Sequence, residues 1–253
     1  KSKDRNFFNK FFNYIFYIII DNFIDIYLSI GSENKKYYLD HNIKKSKIVM
    51  VPYVVDNNFF LKKKIKNNKK IKFLFVAKLK KRKGPDLLLS AIKILKNNFN
   101  INSKCNFLIV GDGHMEKQLK QFAKNHKLDN VKFSSFKNQK KLAKIYQSSD
   151  VFVMPSTREP WGLTVNEAMA AGNAIISSDN VGSSYDLVKE EKNGFKFKNN
   201  NVEDLAKKIL KIYKNRKKLK KFKFNSIKII SKWNFNAGYW GLKKSIKLVK
   251  DFK

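Results

Sequence analysis

The sequence predicts an α/β fold, in which a parallel β-sheet carries helices on both of its faces. From residue 71 onward, short apolar runs alternate with amphipathic segments of helical length. The run over residues 71–79, IKFLFVAKL, is typical of a strand buried on both faces. Strands that alternate with helices form βαβ units, so we expect these strands to lie parallel.

The other strands and helices from residue 71 onward follow from the same alternation of apolar runs and amphipathic segments. Further strands are predicted over residues 106–111, 131–136, 150–156, 174–178 and 194–197. Helices are predicted over residues 86–98, 115–125, 139–148, 165–171 and 202–214. Gly172 follows one of these helices and is expected to end it in the left-handed conformation. The last stretch, 216–253, is basic and has a helical pattern with aromatic anchors.

The N-terminal part is less regular. Residues 7–30 are rich in aromatic and aliphatic side chains, but the longest uninterrupted apolar run covers only residues 14–20. A helix that spans a membrane needs about 20 mostly apolar residues. We therefore predict a mostly buried or interface helix followed by a strand over 26–30, with a membrane-surface helix as the alternative. A short helix to about His41 and a strand in the segment 47–56, which stops at Pro52, complete this part.

The composition limits the partners. The net charge is +35, from 55 basic and 20 acidic residues, yet only four of the basic residues are arginine. Sequence-specific nucleic-acid recognition relies on arginine, so the charge favours a solvated surface or an anionic membrane surface over a specific nucleic acid. The single cysteine, Cys105, excludes an intrachain disulfide. With no signal-peptide pattern, this predicts a cytoplasmic location, which a peripheral position on the inner face of the membrane would also fit.

The segment MPSTREPWGLTVNEAMAAG, residues 154–172, follows the carboxyl end of a predicted strand, where open α/β sheets bind ligands. Thr164 is predicted to cap the next helix, with Glu167 three residues later closing a capping box. In the alternative interpretation the helix N-terminus binds a phosphate and Glu167 accepts hydrogen bonds from sugar hydroxyls. Pro160 keeps Glu159 extended, which makes Glu159 a second candidate site residue.

A second strand-end loop, VAKLKKRKG, places Lys78 and Lys83 five residues apart. Two amines there could bind a diphosphate, although a solvated lysine run has the same pattern. The run VGDGHME ends on Glu116 where a dinucleotide-binding fingerprint needs a third glycine, so a Rossmann dehydrogenase is disfavoured. The sequence has no phosphate-binding P-loop and no Asp-x-Asp pair, and its three histidines show no metal spacing, so no metal is expected.

Four motifs occur in a fixed order along the chain: VAKLKKRKG, VGDG, VKFSSF and SDVFVMPSTREPWGLTVNEAMAAG. Together they resemble the C-terminal half of retaining GT-B glycosyltransferases of the large group-1 family (family-4 type). The family's pair of glutamates separated by seven residues corresponds to Glu159 and Glu167. The resemblance implies a Rossmann-like sheet within a GT-B fold whose N-terminal domain is incomplete here. The resemblance divides the chain into four parts. Residues 1–60 are a remnant of the N-terminal, acceptor-side domain, and residues 61–70 are a linker. Residues 71–215 form the nucleotide-sugar-binding domain, and residues 216–253 form C-terminal crossover helices.

The resemblance also implies how the diphosphate of a donor would be held. Lys83 matches the family lysine that binds it, and Lys78 stands where many members have arginine. A lysine there supplies positive charge but cannot donate the two parallel hydrogen bonds that an arginine guanidinium makes to a phosphate. The backbone at Gly162, Leu163 and Thr164 resembles the family's diphosphate cradle.

The remaining implied roles concern the nucleoside and the sugar. Glu167 resembles the glutamate that holds the ribose, and Glu159 the one that contacts the donor sugar as the catalytic residue. A role for Glu159 in stabilising oxocarbenium-like charge during front-face attack is preferred over a role as nucleophile. Phe136 and Lys137 stand where the base usually lies, with their backbone reading it, and Ser135 replaces a glycine that is frequent in the family.

The implied function is transfer of a sugar, with retention, from a nucleotide diphosphate sugar to a glycan or lipid-linked acceptor, in cell-surface polysaccharide or lipopolysaccharide synthesis. The nucleotide sugar would be a co-substrate, and no cofactor or metal is implied. Because most of an N-terminal domain is missing, the chain is expected to bind nucleotide better than it catalyses transfer. The alternatives are a GT-B nucleotide-sugar epimerase and a basic module that binds a membrane or nucleic acid without catalysis.

Overall fold

The computed structural model describes residues 12–61, 69–99, 101 and 104–251. The chain divides into two compact units, a larger one over residues 55–234 and a smaller one that joins residues up to 54 with those from 235 onward. The beginning of the predicted N-terminal helix and most of the predicted linker, residues 7–11 and 62–68, lie outside the described residues.

The larger unit is built on a six-stranded sheet in which all neighbouring strands pair parallel, in the order β5-β4-β3-β6-β7-β8. Its strands are β3 Ile71–Val76, β4 Cys105–Val110, β5 Val131–Ser134, β6 Val151–Met154, β7 Ala174–Ser178 and β8 Gly194–Phe197. The prediction of a parallel α/β sheet is confirmed. Several strands end one to three residues earlier than predicted, because the chain turns into the loops that form the carboxyl edge of the sheet.

Helices cover the sheet because each presents an apolar stripe to it. They are α3 Asn57–Phe60, α4 Pro85–Phe99, α5 Glu116–Asn125, α6 Gln139–Ser148, α7 Leu163–Ala170, α8 Gly182–Leu187, α9 Val202–Lys214 and α10 Leu219–Ile230. One group, α4, α5 and α9, packs against the core that contains Phe73 and Phe107. On the opposite face, α6 packs on α7, with Tyr146 of α6 against Phe152 of β6.

Two segments belong to the larger unit although the predicted division placed them elsewhere. Asn57–Phe60 forms a helical turn, and Phe60 is buried with its ring centroid 5.9 Å from that of Tyr146. Helix α10 packs on α7 and β7. The helix packing of the larger unit therefore extends beyond residues 71–215 at both ends, whereas its sheet lies within them.

The smaller unit contains helix α1 over residues 12–20, β1 Tyr27–Ser29, α2 Ser32–Leu39, β2 Ile48–Met50 and α11 Phe235–Asp251. β1 and β2 pair parallel. The strand predicted to stop at Pro52 is regular from Ile48 to Met50, and Pro52 has no N–H to donate to a ladder. Most side chains of the helix over 12–20 are exposed, including Phe16 and Ile19, so of the predicted options the mostly buried helix is wrong. Among the described residues, none of the helices combines the length and apolarity needed to cross a bilayer.

Candidate functional site

A cleft of about 620 Å³ opens at the carboxyl edge of the six-stranded sheet. It lies within the larger unit, where the chain leaves β3, β4, β5 and β6. Its lining residues are Val76, Ala77, Lys78, Gly111, Asp112, Phe136, Lys137, Gln139, Leu142, Thr164 and Glu167. Five predicted site residues are thus brought to one cavity, as expected for an open α/β sheet. The other four, Lys83, Glu159, Gly162 and Leu163, are not among the lining residues.

Lys83 and Glu159 form an ion pair between Nζ and Oε2. Lys83 ends a single helical turn after β3, and Glu159 lies in the loop after β6. Their side chains are only 20% and 13% exposed. Because β3 and β6 are neighbours in the sheet, their strand-end loops meet, and two residues far apart in sequence come into contact.

Backbone contacts hold these two loops together. Gly84 has a φ of +70°, and a Cβ there would lie 2.1 Å from the carbonyl oxygen of Pro155, so only glycine fits. The Thr157 N–H donates to the Arg82 carbonyl at 2.9 Å, and the Arg82 guanidinium donates to the Arg158 carbonyl at 2.9 Å. The position of Lys83 relative to Glu159 is therefore fixed by the main chain on both sides.

The loop after β6 is also fixed from its other side. The Glu159 N–H donates to the Asn180 carbonyl at 3.2 Å, and the Gly182 N–H donates to the Glu159 carbonyl at 2.9 Å. The buried Trp161 indole donates to the side-chain oxygen of Asn166 at 3.0 Å and stacks on Trp233, with ring centroids 5.1 Å apart. Glu159 is held extended by pairing to the following strand-end loop, as well as by the proline after it.

The predicted capping box is wrong. Gly162, in the left-handed region with φ +94°, is the N-cap of α7, and Thr164 lies inside the first turn. The Glu167 carboxylate accepts a 2.8 Å hydrogen bond from the Tyr146 hydroxyl of α6 instead of one from the Thr164 N–H. Burial raises the pKa of Glu167, and the hydrogen bond from Tyr146 opposes that rise.

Sequence reasoning missed Asp112 and Tyr146. The Asp112 carboxylate accepts a hydrogen bond from the Phe136 N–H at 3.1 Å. Phe136 stands where the base is expected, so its amide already has a partner there. The Phe136 ring is 65% exposed beside the cleft, and the Lys137 ammonium donates to the Ser135 hydroxyl at 3.1 Å. The signal for Asp112 was present, because VGDG follows the carboxyl end of β4. Tyr146 gave no signal, since it looks like an ordinary apolar position of an amphipathic helix.

In the part of the chain that the structure describes, no three or more His, Cys, Asp or Glu side chains are grouped so as to hold a metal ion. The cleft contains two acidic residues, Asp112 and Glu167, which already accept hydrogen bonds from Phe136 and Tyr146. The positive groups that line it are Lys78 and Lys137.

Residues 56–229 match the family model of the glycosyl transferases group 1, which covers more than half of the chain. The chain belongs to this family. It is 27% identical over 217 residues to an uncharacterized glycosyltransferase of Methanocaldococcus jannaschii, an alignment that covers 85% of this chain and 58% of the archaeal protein. The chain therefore spans less than two thirds of that relative's length.

One further relative and one solved structure are similar to this member of the group-1 family. The chain is 32% identical over 194 residues to the UDP-Gal:alpha-D-GlcNAc-diphosphoundecaprenol alpha-1,3-galactosyltransferase of Escherichia coli, which covers 70% of this chain and 47% of the relative. The fold is similar to that of Anabaena HepE, solved in complex with UDP and glucose, with a TM-score of 0.72 and 16% identity over 87% of this chain and 62% of HepE. The Rossmann-like GT-B architecture expected from the motifs is confirmed.

Proposed function

We propose that this chain carries the donor-binding half of a retaining glycosyltransferase, which moves a sugar from a nucleotide diphosphate sugar to a glycan or lipid-linked acceptor. The observation that carries the proposal is the cleft at the carboxyl edge of the sheet, which places Lys78, Thr164 and Glu167 on one cavity in a group-1 family chain. Its volume of about 620 Å³ is in the range of pockets that bind small ligands and cofactors.

The diphosphate is proposed to bind to Lys78, Lys83 and the first turn of α7. The first amides of a helix have no intrahelical acceptors and carry the positive end of the helix dipole, so they attract an anion. Gly162 lets the chain enter α7 with a left-handed residue, which puts the amides of Leu163 and Thr164 at the start of the helix. In this proposal the lysine ammonium groups neutralise the diphosphate, and no metal ion or cofactor takes part.

The nucleoside is proposed to lie against Glu167, Phe136 and Lys137. Glu167 reaches the cleft from the middle of α7, and its carboxylate would accept hydrogen bonds from the ribose hydroxyls. The exposed face of Phe136 would stack on the base. Because the Phe136 N–H already donates to Asp112, its ring rather than its amide is proposed to contact the base.

Glu159 is proposed to act on the sugar. As the bond between the sugar C1 and the diphosphate oxygen breaks, positive charge develops on the ring, and a carboxylate close by would stabilise it. The acceptor hydroxyl oxygen would form the new bond to C1 on the face that the diphosphate leaves, which retains the configuration. The departing diphosphate would take the proton of that hydroxyl.

The relatives support the class of donor and acceptor. HepE was solved with UDP, and the name of the Escherichia coli relative specifies a UDP-galactose donor and an acceptor on diphosphoundecaprenol. By analogy we propose a UDP-sugar donor and a lipid-linked acceptor in cell-surface polysaccharide or lipopolysaccharide synthesis. An enzyme with such an acceptor would work at the cytoplasmic face of a membrane.

The donor site is tested by titrating the purified chain with UDP, GDP and ADP in a calorimeter at fixed salt. Saturable binding of one nucleotide is expected, and it should be lost in the double variant Lys83→Ala, Glu167→Ala. The matched control is Glu203→Ala, Lys207→Ala, which removes the same two side-chain types from exposed positions of α9. Absence of binding to all three nucleotides, or equal loss in the control, would contradict the proposal.

We further propose that the smaller unit contacts an anionic membrane. Helix α11 exposes Tyr239, Trp240 and Ile246, and the Lys243 ammonium lies 4.9 Å from the Trp240 ring centroid. Aromatic and basic side chains together suit the boundary between headgroups and acyl chains. Flotation with vesicles that contain phosphatidylserine should carry the chain upward at low salt and less so as salt rises. Flotation that is insensitive to salt, or equal with neutral vesicles, would contradict this contact.

A further inference from the structure

The orientation of Glu167 depends on a partner from a different helix. Its carboxylate Oε2 accepts a hydrogen bond from the Tyr146 hydroxyl at 2.8 Å, across the contact between α6 and α7. Glu167 lines the cleft, whereas Tyr146 is completely buried and is not among the lining residues. The tyrosine therefore acts on the cleft only through the glutamate.

Tyr146 is itself held on several sides. Its ring makes edge contacts with Phe60 and Phe152, with centroids 5.9 and 5.8 Å away. Its carbonyl oxygen accepts a hydrogen bond from the buried Asn173 side chain at 2.9 Å, just beyond α7. A fully buried ring in a packed core has one rotamer, so the hydroxyl is a fixed donor. This arrangement suits the placement of a functional carboxylate better than a flexible surface partner would.

We propose that Tyr146 is a positioning residue for nucleotide binding. It engages Oε2 of Glu167, so that Oε1 is turned to the cleft to accept hydrogen bonds from the ribose hydroxyls. This inference rests on the proposed function, because it takes Glu167 as the ribose-binding group. It adds a residue that touches no substrate and yet determines how well the ribose is recognised.

The chemistry of a partly buried carboxylate explains why such a donor is needed. A carboxylate removed from water is costly unless hydrogen bonds satisfy its oxygens. Without Tyr146, Oε2 would have to find another donor, and the side chain would rotate or take up a proton. A protonated or rotated Glu167 would be a poorer acceptor for the ribose. Loss of a hydrogen bond to a charged group is expected to weaken binding roughly tenfold.

The test separates an effect on the ribose from a general loss of structure. Affinities are measured for whichever of UDP, GDP and ADP the wild-type chain binds, and for its 2′,3′-dideoxy analogue. The variants are Tyr146→Phe, Glu167→Gln and the two combined. The control is Tyr27→Phe, which removes a hydroxyl from another buried tyrosine in the smaller unit. Thermal melting of every variant shows whether it folds.

Tyr146→Phe is expected to weaken the ordinary nucleotide roughly tenfold and to leave the dideoxy analogue unchanged. Because both residues act on the same hydroxyls, the double variant should lose little more than Glu167→Gln alone. An equal loss for both ligands, additive losses, or an unchanged affinity in Tyr146→Phe would overturn the positioning role. If the wild-type chain binds none of the three nucleotides, the proposed function itself fails, which is a distinct result.

Discussion

Lys83 and Glu159 form an ion pair across 76 residues of sequence, in the loops that follow the neighbouring strands β3 and β6. Each is assigned a separate task in the proposed function, Lys83 on the diphosphate and Glu159 on the sugar. In the structure described here each neutralises the other. A bound diphosphate would compete with Glu159 for the Lys83 ammonium, so the two tasks are linked.

Replacement of Glu159 by glutamine should separate binding from transfer. Glu159→Gln removes the charge that we propose stabilises the transition state, so transfer by the enzyme that includes the acceptor-binding part should fall by roughly 10²-fold or more. Nucleotide affinity should not fall, because the carboxylate that competes for Lys83 is lost. Transfer rates with a lipid-linked acceptor and calorimetry of the nucleotide check the two halves of this prediction.

The control for that experiment is Glu203→Gln, at an exposed position of α9. Transfer that remains at the wild-type rate in Glu159→Gln would remove Glu159 from the catalytic step. The anomeric configuration of the product, read by NMR, tests retention at the same time. A changed nucleotide sugar in reactions that lack an acceptor would identify an epimerase instead.

The turn that presents Lys83 depends on Gly84. A Cβ at this position would need a left-handed backbone and would lie 2.1 Å from the Pro155 carbonyl oxygen. Gly84→Ala should therefore cost about 3 kcal/mol of unfolding free energy and weaken nucleotide binding. Denaturant melts of the variant check the cost.

The matched glycine is Gly238, in α11, where a Cβ would meet nothing within 4 Å. Gly238→Ala should be neutral or stabilising by about 0.5–1 kcal/mol, since alanine favours the helix. Equal stability of both alanine variants would show that the Pro155 contact does not constrain the turn.

Glu167 should carry a stability cost that depends on pH. Burial raises the pKa of Glu167 in the folded chain above its ordinary value of 4.5. The folded state therefore holds the proton more tightly than the unfolded state, and ionisation of Glu167 disfavours folding at pH values above both pKa values. Glutamine cannot ionise and still offers an oxygen to the Tyr146 hydroxyl.

Glu167→Gln should consequently raise the melting temperature of the nucleotide-free chain at about pH 8, with a difference that shrinks toward about pH 4. The same variant should lose nucleotide affinity, as expected of a residue kept for function at a cost in stability. A difference in melting temperature that does not change with pH would show that ionisation of Glu167 is not its origin.

A buried ion pair joins α10 to the start of β6. The Lys223 ammonium donates to the Asp150 carboxylate at 2.7 Å, and both side chains are almost completely buried. The other Asp150 oxygen accepts from the Lys72 N–H at 3.0 Å. Lys223→Met should cost about 3 kcal/mol or more, because it removes the Lys223 cation from a buried carboxylate.

The paired variant Lys223→Met, Asp150→Asn should recover part of that loss, since a neutral amide is less costly to bury. Denaturant unfolding of the single and double variants checks this. A double variant that is less stable than Lys223→Met alone would show that Asp150 has a further stabilising role.

The order and type of the elements in the larger unit were predictable because each is defined by local pattern. The helix over 139–148 and the strands over 174–178 and 194–197 coincide with the predicted bounds. Errors arose where a few apolar residues pack at long range. Phe60 was assigned to the N-terminal remnant, and its burial against Tyr146 in the larger unit depends on a contact that no local pattern reports.

Five of the nine candidate site residues line one cleft, because strand-end loops of a parallel sheet meet at one edge. Their hydrogen-bond partners were not predictable. Thr164 and Glu167 have the spacing of a capping box, yet Gly162 is the N-cap and Glu167 bonds to Tyr146. Two acceptable partners for one carboxylate cannot be separated by spacing, because the choice depends on which helix packs alongside.

The sequence by itself determined the α/β class, the edge of the sheet that carries the cleft, and the resemblance to group-1 glycosyltransferases, because apolar periodicity and motif order are properties of neighbouring residues. Only the tertiary structure decided that Lys83 faces Glu159, that Tyr146 holds Glu167, and that Asp112 engages the Phe136 amide. Each of these contacts joins loops or helices brought together by the sheet. Polar groups at such junctions bond to whichever partner packing places within about 3 Å.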